Sequence, residues 1–369
     1  MKHPLTYILL VSLLAGCIQE FIPRGVQGES GVVVVDGMIR DGESVFKLSY
    51  SVAISDTLTA DGNINTAEVY VEANDGSRIR AAFTGDGTYV AQTPSLDTAR
   101  KYRFTADING ETYESEYLAP IVSVAIDSVF AEKRGDGEPV NIFVASHDDG
   151  NGPIYYHWNY REIWEVKADL YANARWGNGG VIFHSLNTSE NTYYCWGRDS
   201  SKNILLASTE KLSENLVAKQ KLLEIPCDDD RLSILYRIQV EQMQIREAAY
   251  KYFADAKSGI ERTGDLFTPV LTNSVRGNIR CANDPERPVI GYIEVATVTA
   301  SERYVWEKEG YFEPPLWLCN QKIFGPGNAE TAWPIYIYGV SSSTYSCVDC
   351  RMKRNATKDK PAGWPTEHL

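Results

Sequence analysis

Seven segments, VVVVDGMI, VFKLSY, AEVYVEAND, RIRAAF, TYVAQ, RKYRFTADI and ETYESEY, follow one another between residues 32 and 117. Each is too short for a stable helix and each is rich in Val, Tyr, Phe or Thr, residues that suit a pleated, half-buried surface. Asp41-Gly42, Asp75-Gly76, Gly85-Asp86-Gly87 and Asn109-Gly110 separate them, and such pairs accept the backbone angles of tight turns. The series predicts an N-terminal immunoglobulin-like β-sandwich over residues 31–120, antiparallel and built from about seven strands. It carries no Cys-Trp-Cys signature, so the prediction rests on strand pattern alone.

Pro120 marks the expected boundary. Beyond it VSVAIDSVFAEK and VNIFVASHDD again have the composition of strands. In YYHWNYREIWEV, Tyr156, Trp158, Tyr160 and Trp164 recur at even spacing, which describes a strand with one packed face. Such aromatics are usually core, but on an open face they would form a stacking platform, so Trp158, Tyr160 and Trp164 are candidate ligand-facing residues. One stretch, near 243–258, has helical spacing: Ile245, Ala248, Ala249, Tyr252, Phe253 and Ala256 share a face, and Gly259 is placed to cap it. Strands resume at PVIGYIEVATVTASERYVW and IYIYGV. Residues 121–369 therefore read as a second β-rich domain with one helical insertion, and the whole chain as mainly β.

Seven cysteines divide into one and six. Cys17 follows Leu14-Ala15-Gly16 at the end of the apolar run Leu5 to Leu14, which is too short to span a bilayer, where about 20 residues are needed. Leu-Ala-Gly-Cys resembles the lipobox of bacterial lipoproteins. Residues 1–16 are then a lipoprotein signal peptide, Cys17 the lipid attachment site and 17–30, with Pro23, Gly25 and Gly28, a lipidated tether. Several acyl chains bury enough methylenes to anchor a protein durably. No aspartate follows the cysteine, which favours the outer membrane.

Cys195, Cys227, Cys281, Cys319, Cys347 and Cys350 remain, an even set that in an exported chain implies disulfides. All six lie beyond residue 190, so the first unit has to fold by packing. Cys347-Val348-Asp349-Cys350 has redox or zinc spacing, but no βαβ pattern surrounds it and no further ligands stand at zinc spacing. It is expected to supply two disulfides that staple the C-terminal tail to the body.

A net charge of −13 excludes nucleic acid as a partner. His147, His157, His184 and His368 have no metal spacing, and neither H-E-x-x-H nor G-x-S-x-G occurs. No catalytic residue, metal ligand or cofactor is assigned. HDDGNG at 147–152 and CDDD at 227–230 offer oxygen ligands to calcium but are equally ordinary turns.

Five phrases, YYHWNYREIWEV, EAAYKYFADAKS, GDLFTPVLTNSVRGNI, PVIGYIEVATVTASERYV and CVDCR, occur in that order. With the lipobox and the strand series they resemble a family of Bacteroidota outer-membrane lipoproteins, domain of unknown function 4249. The tail Lys360-Pro361-Ala362-Gly363-Trp364 departs from that family's Lys-Pro-x-Phe-Trp. The resemblance implies a cell-surface protein, lipid-anchored in the outer membrane and encoded beside TonB-dependent receptors. It brings no catalytic residues. The expectation is a non-catalytic accessory or ligand-binding component acting with a TonB-dependent transporter on a small molecule, peptide or glycan. The alternatives are an envelope hydrolase acting on glycan or peptide, and a structural or adhesive surface protein.

Overall fold

The computed structural model describes residues 31–51, 62–172, 174–177, 180–183, 191–263, 277–314, 319, 322–323, 335–337, 341–342 and 345–365. Cys17, with the signal and tether segments, lies outside the described residues, as do His184 and His368. The chain is mainly β.

The N-terminal series forms β1 (Val33–Arg40), β2 (Gly42–Tyr50), β3 (Ala67–Ala73), β4 (Arg78–Arg80), β5 (Ala82–Gly85), β6 (Thr88–Thr93), β7 (Tyr102–Ile108) and β8 (Glu111–Ser115). RIRAAF is two strands rather than one. It breaks at the buried Ala81, where β4 pairs with β3 and β5 with β6, so the chain passes from one sheet to the other. In the β7–β8 hairpin Asn109 and Gly110 have φ of 55° and 84°, the double positive φ that matches strand twist.

After Pro120 come β9 (Ser128–Lys133), β10 (Val140–His147), β11 (Tyr155–Lys167), β12 (Ala174–Gly177), β13 (Gly180–Phe183), β14 (Tyr194–Ser200), β15 (Leu205–Ser208), β16 (Leu216–Ile225) and β17 (Leu235–Ile245). Helix α1 (Glu247–Thr263) follows, then β18 (Ile279–Cys281), β19 (Val289–Ile290), β20 (Glu294–Ala296) and β21 (Thr299–Trp306). The last elements are β22 (Lys322–Ile323), β23 (Ile335–Ile337), β24 (Ser341–Ser342), the single turn α2 (Tyr345–Val348) and β25 (Ala356–Thr357). Among the described residues no helix is long and apolar enough to cross a membrane.

In the first unit a sheet of order β19-β1-β2-β6-β5, with β20 also on β1, faces a sheet of order β18-β8-β7-β3-β4. Val33, Val35, Phe46 and Leu48 from one meet Val69, Val71, Phe104 and Ile108 from the other in one core, and the Phe46 and Phe104 rings lie 5.1 Å apart. The unit is not confined to residues 31–120. Strands β18, β19 and β20 come from 279–296, and β19 and β20 run parallel to β1 where an antiparallel partner was expected. Gly291 makes this join possible, because a Cβ there would fall 2.3 Å from the Val35 carbonyl oxygen.

The second unit stacks the β16-β10-β9 sheet on the sheet of order β21-β17-β11-β14-β25, with β15 also on β11. β11 is covered on both faces, which corrects the single packed face read from its period. Tyr156, Trp158, Trp164 and Val166 enter the core between the sheets, whereas Tyr155 and Ile163 on the opposite face meet α1 and the C-terminal tail. A smaller sheet has the order β13-β12-β23-β24-β22.

The helix exists but is shifted. Residues 243–245 remain strand because β17 pairs with β11 up to Tyr155↔Ile245, and α1 runs through Gly259 instead of stopping there. An internal glycine costs a helix only about 1 kcal/mol.

The C-x-x-C divides as expected: Cys195–Cys350 and Cys319–Cys347 are disulfides. The other two candidates are not bonded. Cys227 and Cys281 are free thiols, since Cys281 is buried in the core of the first unit and Cys227 is half-buried in the second. The tail itself is well held. Trp364 is buried against Trp196, Ile234 and Leu235, and its indole N–H donates to Glu165 Oε2 at 2.7 Å.

Candidate functional site

Strand alternation gives β1 two faces. Val33, Val35 and Ile39 point into the first core, so Val34, Asp36, Met38 and Arg40 point outward together. On β2 the outward set includes Val45 and Lys47. Facing this wall, β11 presents His157, Asn159 and Arg161, and β17 presents Glu241 and Met243, which are the cross-strand partners of Asn159 and His157. Tyr252 and Phe253 of α1, Tyr292 from the β19–β20 link and the 200–204 loop close the rim. Together they enclose a cleft of about 550 Å³ at the junction of the two units.

Its electrostatics are set by a few groups. The Arg40 guanidinium donates from Nη1 and Nη2 to Glu241 Oε2 and Oε1 at 2.6 and 3.0 Å, a two-pronged ion pair that also ties one unit to the other. Burial works against the Glu241 charge, but Arg40, helped by Arg161, outweighs it and holds the carboxyl below the usual range. Asp36 behaves oppositely. Its side chain is exposed to the cleft, the protein around it raises its pKa by desolvation, and Lys47, its cross-strand neighbour, opposes that shift. Burial and the nearby Asp36 charge push Tyr252 up to about 12, and burial with Glu294 does the same to Tyr292.

His157 is 8 % exposed and its Nδ1 has no hydrogen-bond partner. Burial lowers its pKa to about 4, so the ring is neutral near pH 7. Phe253 lies against it with ring centroids 5.5 Å apart. A buried unpaired polar atom costs about 1–3 kcal/mol.

Of the three aromatics singled out in the sequence, only Tyr160 lines the cleft. Trp158 and Trp164 do not face a ligand, being 0 % and 1 % exposed in the core. The Trp158 indole donates to Gln242 Oε1 at 2.8 Å, and Trp164 lies flat over Gly197, where a Cβ would fall 2.2 Å from the ring. Asp36, Arg40, His157 and Glu241 carry the polar character of the cleft and were not singled out in the sequence. The available signal was the polar-apolar alternation hidden in VVVVDGMIR, where Asp36 and Arg40 share one face.

The acidic loops have other work. Asp148 accepts from the Gly150 N–H and from Gln244, Asp229 accepts from Arg231, and Asp230 pairs with Lys353. Among the described residues one cluster of three metal-ligand types, Asp169, Cys319 and Cys347, brings its ligand atoms within 4.8 Å, and its two sulfurs are joined in a disulfide. His147 is exposed and pairs with Asp127 at 2.7 Å.

No curated protein matches the chain. Residues 19–302, more than half of it, match a domain of unknown function, DUF4249. The chain therefore belongs to the DUF4249 family.

Proposed function

We propose that the protein is an outer-membrane lipoprotein, anchored through Cys17, that captures a ligand in the junction cleft and acts with a TonB-dependent transporter without catalysing a reaction itself. The observation that carries the capture reading is the cleft: about 550 Å³, walled by two β units, with aromatic surface, the Arg40–Glu241 ion pair and a neutral histidine. Pockets of this size, mostly apolar with a few placed polar groups, are where small ligands bind. The anchor is supported by Leu14-Ala15-Gly16-Cys17 after a short apolar run, and the transporter partnership by the family resemblance. The 17–30 tether gives the β units reach above a membrane surface.

The test is affinity purification of the tagged full chain from detergent-solubilised outer membranes, with mass spectrometry of the mature N-terminus and of co-purifying proteins. Acylated Cys17 and a stoichiometric β-barrel receptor are expected. An unmodified Cys17 or a chain that purifies alone would remove the anchor or the partner, respectively.

A further inference from the structure

We infer that the cleft binds a monocarboxylic acid with an apolar body, its carboxylate at the Arg161 guanidinium and its body along Met38, Ile204 and Tyr252. This rests on the capture reading of the same cleft and names its ligand class.

The charged groups that line the cleft are matched, with one exception. Both Nη atoms of Arg40 are engaged by Glu241, and Lys47 stands across the ladder from Asp36. Lys202 lies 3.3 Å from Asp199, and Glu43 accepts from Gln92 at 3.1 Å. Arg161 is different. Its side chain is 57 % exposed, makes no hydrogen bond among the described residues and approaches Glu241 Oε1 only to 3.9 Å. That oxygen already accepts from Arg40 Nη2 at 3.0 Å. The Arg161 fork therefore keeps its donors for a second carboxylate, a planar group that suits it, and the neighbouring Glu241 is already compensated. Asn159 shares this face of β11 two residues away, about 7 Å along the strand. Its Oδ1 accepts from the Ser201 hydroxyl at 3.4 Å, which leaves its amide N–H groups as further donors to an anion there.

The apolar surface is as accessible as the cation. Met38, Ile204 and Tyr252 are half-buried: they pack on the buried cluster of Met243, Phe253 and Tyr292, and they also line the cleft. Met38 is two residues from Arg40 on the same face of β1, about 7 Å along the strand. Arg40 in turn grips the carboxylate that Arg161 approaches. Fork and apolar surface are thus close enough for one small molecule to touch both. A single unmatched cation suits a single negative charge. A phosphate dianion would bring an excess charge beside Glu241, a neutral sugar gains nothing from the fork, and acetate leaves the apolar surface wet.

Titration calorimetry on the full chain in detergent, with the micelle solution as blank, tests this with hydrocinnamate, its neutral amide, acetate, inorganic phosphate and maltotriose. Hydrocinnamate is expected to bind, and the amide and acetate each to bind about tenfold more weakly or worse. Arg161→Gln should bring hydrocinnamate down to the affinity of the amide and leave the amide unchanged. Ile204→Ser should weaken acid and amide alike, by about threefold or more. An amide that binds as well as the acid, acetate or phosphate that binds as tightly as hydrocinnamate, or no binding of hydrocinnamate would overturn the inference. The acid and amide pair tests it on the native chain even if a variant does not fold. Binding of maltotriose in place of hydrocinnamate would keep the capture reading and remove only this ligand class. If hydrocinnamate binds and no receptor co-purifies, only the partner falls.

Discussion

The two β units solve the same problem differently. In the first, sheets of short strands joined by tight hairpins enclose Val, Ile, Leu, Phe, Tyr and Ala side chains, and no disulfide crosses the core. In the second, the core encloses an ion pair with both partners buried, whereas the buried carboxylates of the first, Glu114 and Glu294, are met by arginines that reach solvent. Glu162 is buried and accepts from Arg231 Nη1 and from the Tyr236 hydroxyl, each at 2.8 Å, while Asp229 holds the other side of Arg231. Part of that unit is finished by the C-terminal tail, which is too short to bury a core of its own. Two disulfides therefore tether it. The difference teaches where covalent help is needed: at a wall made from the chain's end, and not in a sandwich made largely from neighbours in sequence.

The sharpest way to break this contrast is to remove Cys195–Cys350, which closes a loop of 155 residues. Cys195→Ala with Cys350→Ala should cost about 4–5 kcal/mol on the chain-entropy account. Amide exchange should accelerate in β14 and β25 while β3 and β7 keep their protection. Equal loss in both units would show that they melt as one. Next in size is Arg231→Met, which leaves Glu162 buried without its cation and should destabilise by about 3–5 kcal/mol in denaturant titration. The double change with Glu162→Leu should recover most of that, because charge and partner leave together. Gly197→Ala forces the Trp164 ring off its strand and should cost about 2–3 kcal/mol, read as a lowered thermal midpoint and a shifted tryptophan emission.

The smallest effect concerns the cleft between the units. His157 has a folded pKa near 4, below its unfolded value, so the unfolded chain binds the extra proton as pH falls. Stability from this group is complete above about pH 6.5 and drains away toward pH 4. Between pH 7 and 5 the loss is about 2 kcal/mol. Asp36, with a raised folded pKa, works in the opposite sense at acid pH, so the measurement is the difference between the native chain and His157→Gln. Parallel pH profiles for the two would contradict the buried, neutral histidine.

Local patterns were legible in the sequence where neighbours decide the outcome. β-branched and aromatic segments between Gly-containing turns became β1 to β8, and the C-x-x-C was split between two partners as the absence of a redox fold implied. Misreadings arose where distant chain segments decide. Gly259 looks like a stop signal until the helix is seen to continue, and Ile245 has helical spacing although β11 claims it for a sheet. Trp158 and Trp164 take the core place that period two favours and not the platform, while the second covered face of β11 was missed because period two cannot tell one covered face from two. Cys227 and Cys281 look paired because parity counts thiols without placing them in separate cores. The cleft was invisible for the same reason. Asp36, His157 and Glu241 are scattered through the chain and meet only when β1, β11 and β17 are brought together.

The parallel join of β1 to β19 and β20 bears on the order in which the molecule can be made. A chain leaves the ribosome N-terminus first, and β1 has to wait for partners encoded about 250 residues later. Until then the β1 edge is unpaired and the Gly291 seat is empty, so the earliest strands to be synthesised are among the last to be completed. Such a chain gains from a chaperone that shields that edge during synthesis. A truncation that ends before residue 279 would lack three strands of the first unit, however well its N-terminal sequence is preserved.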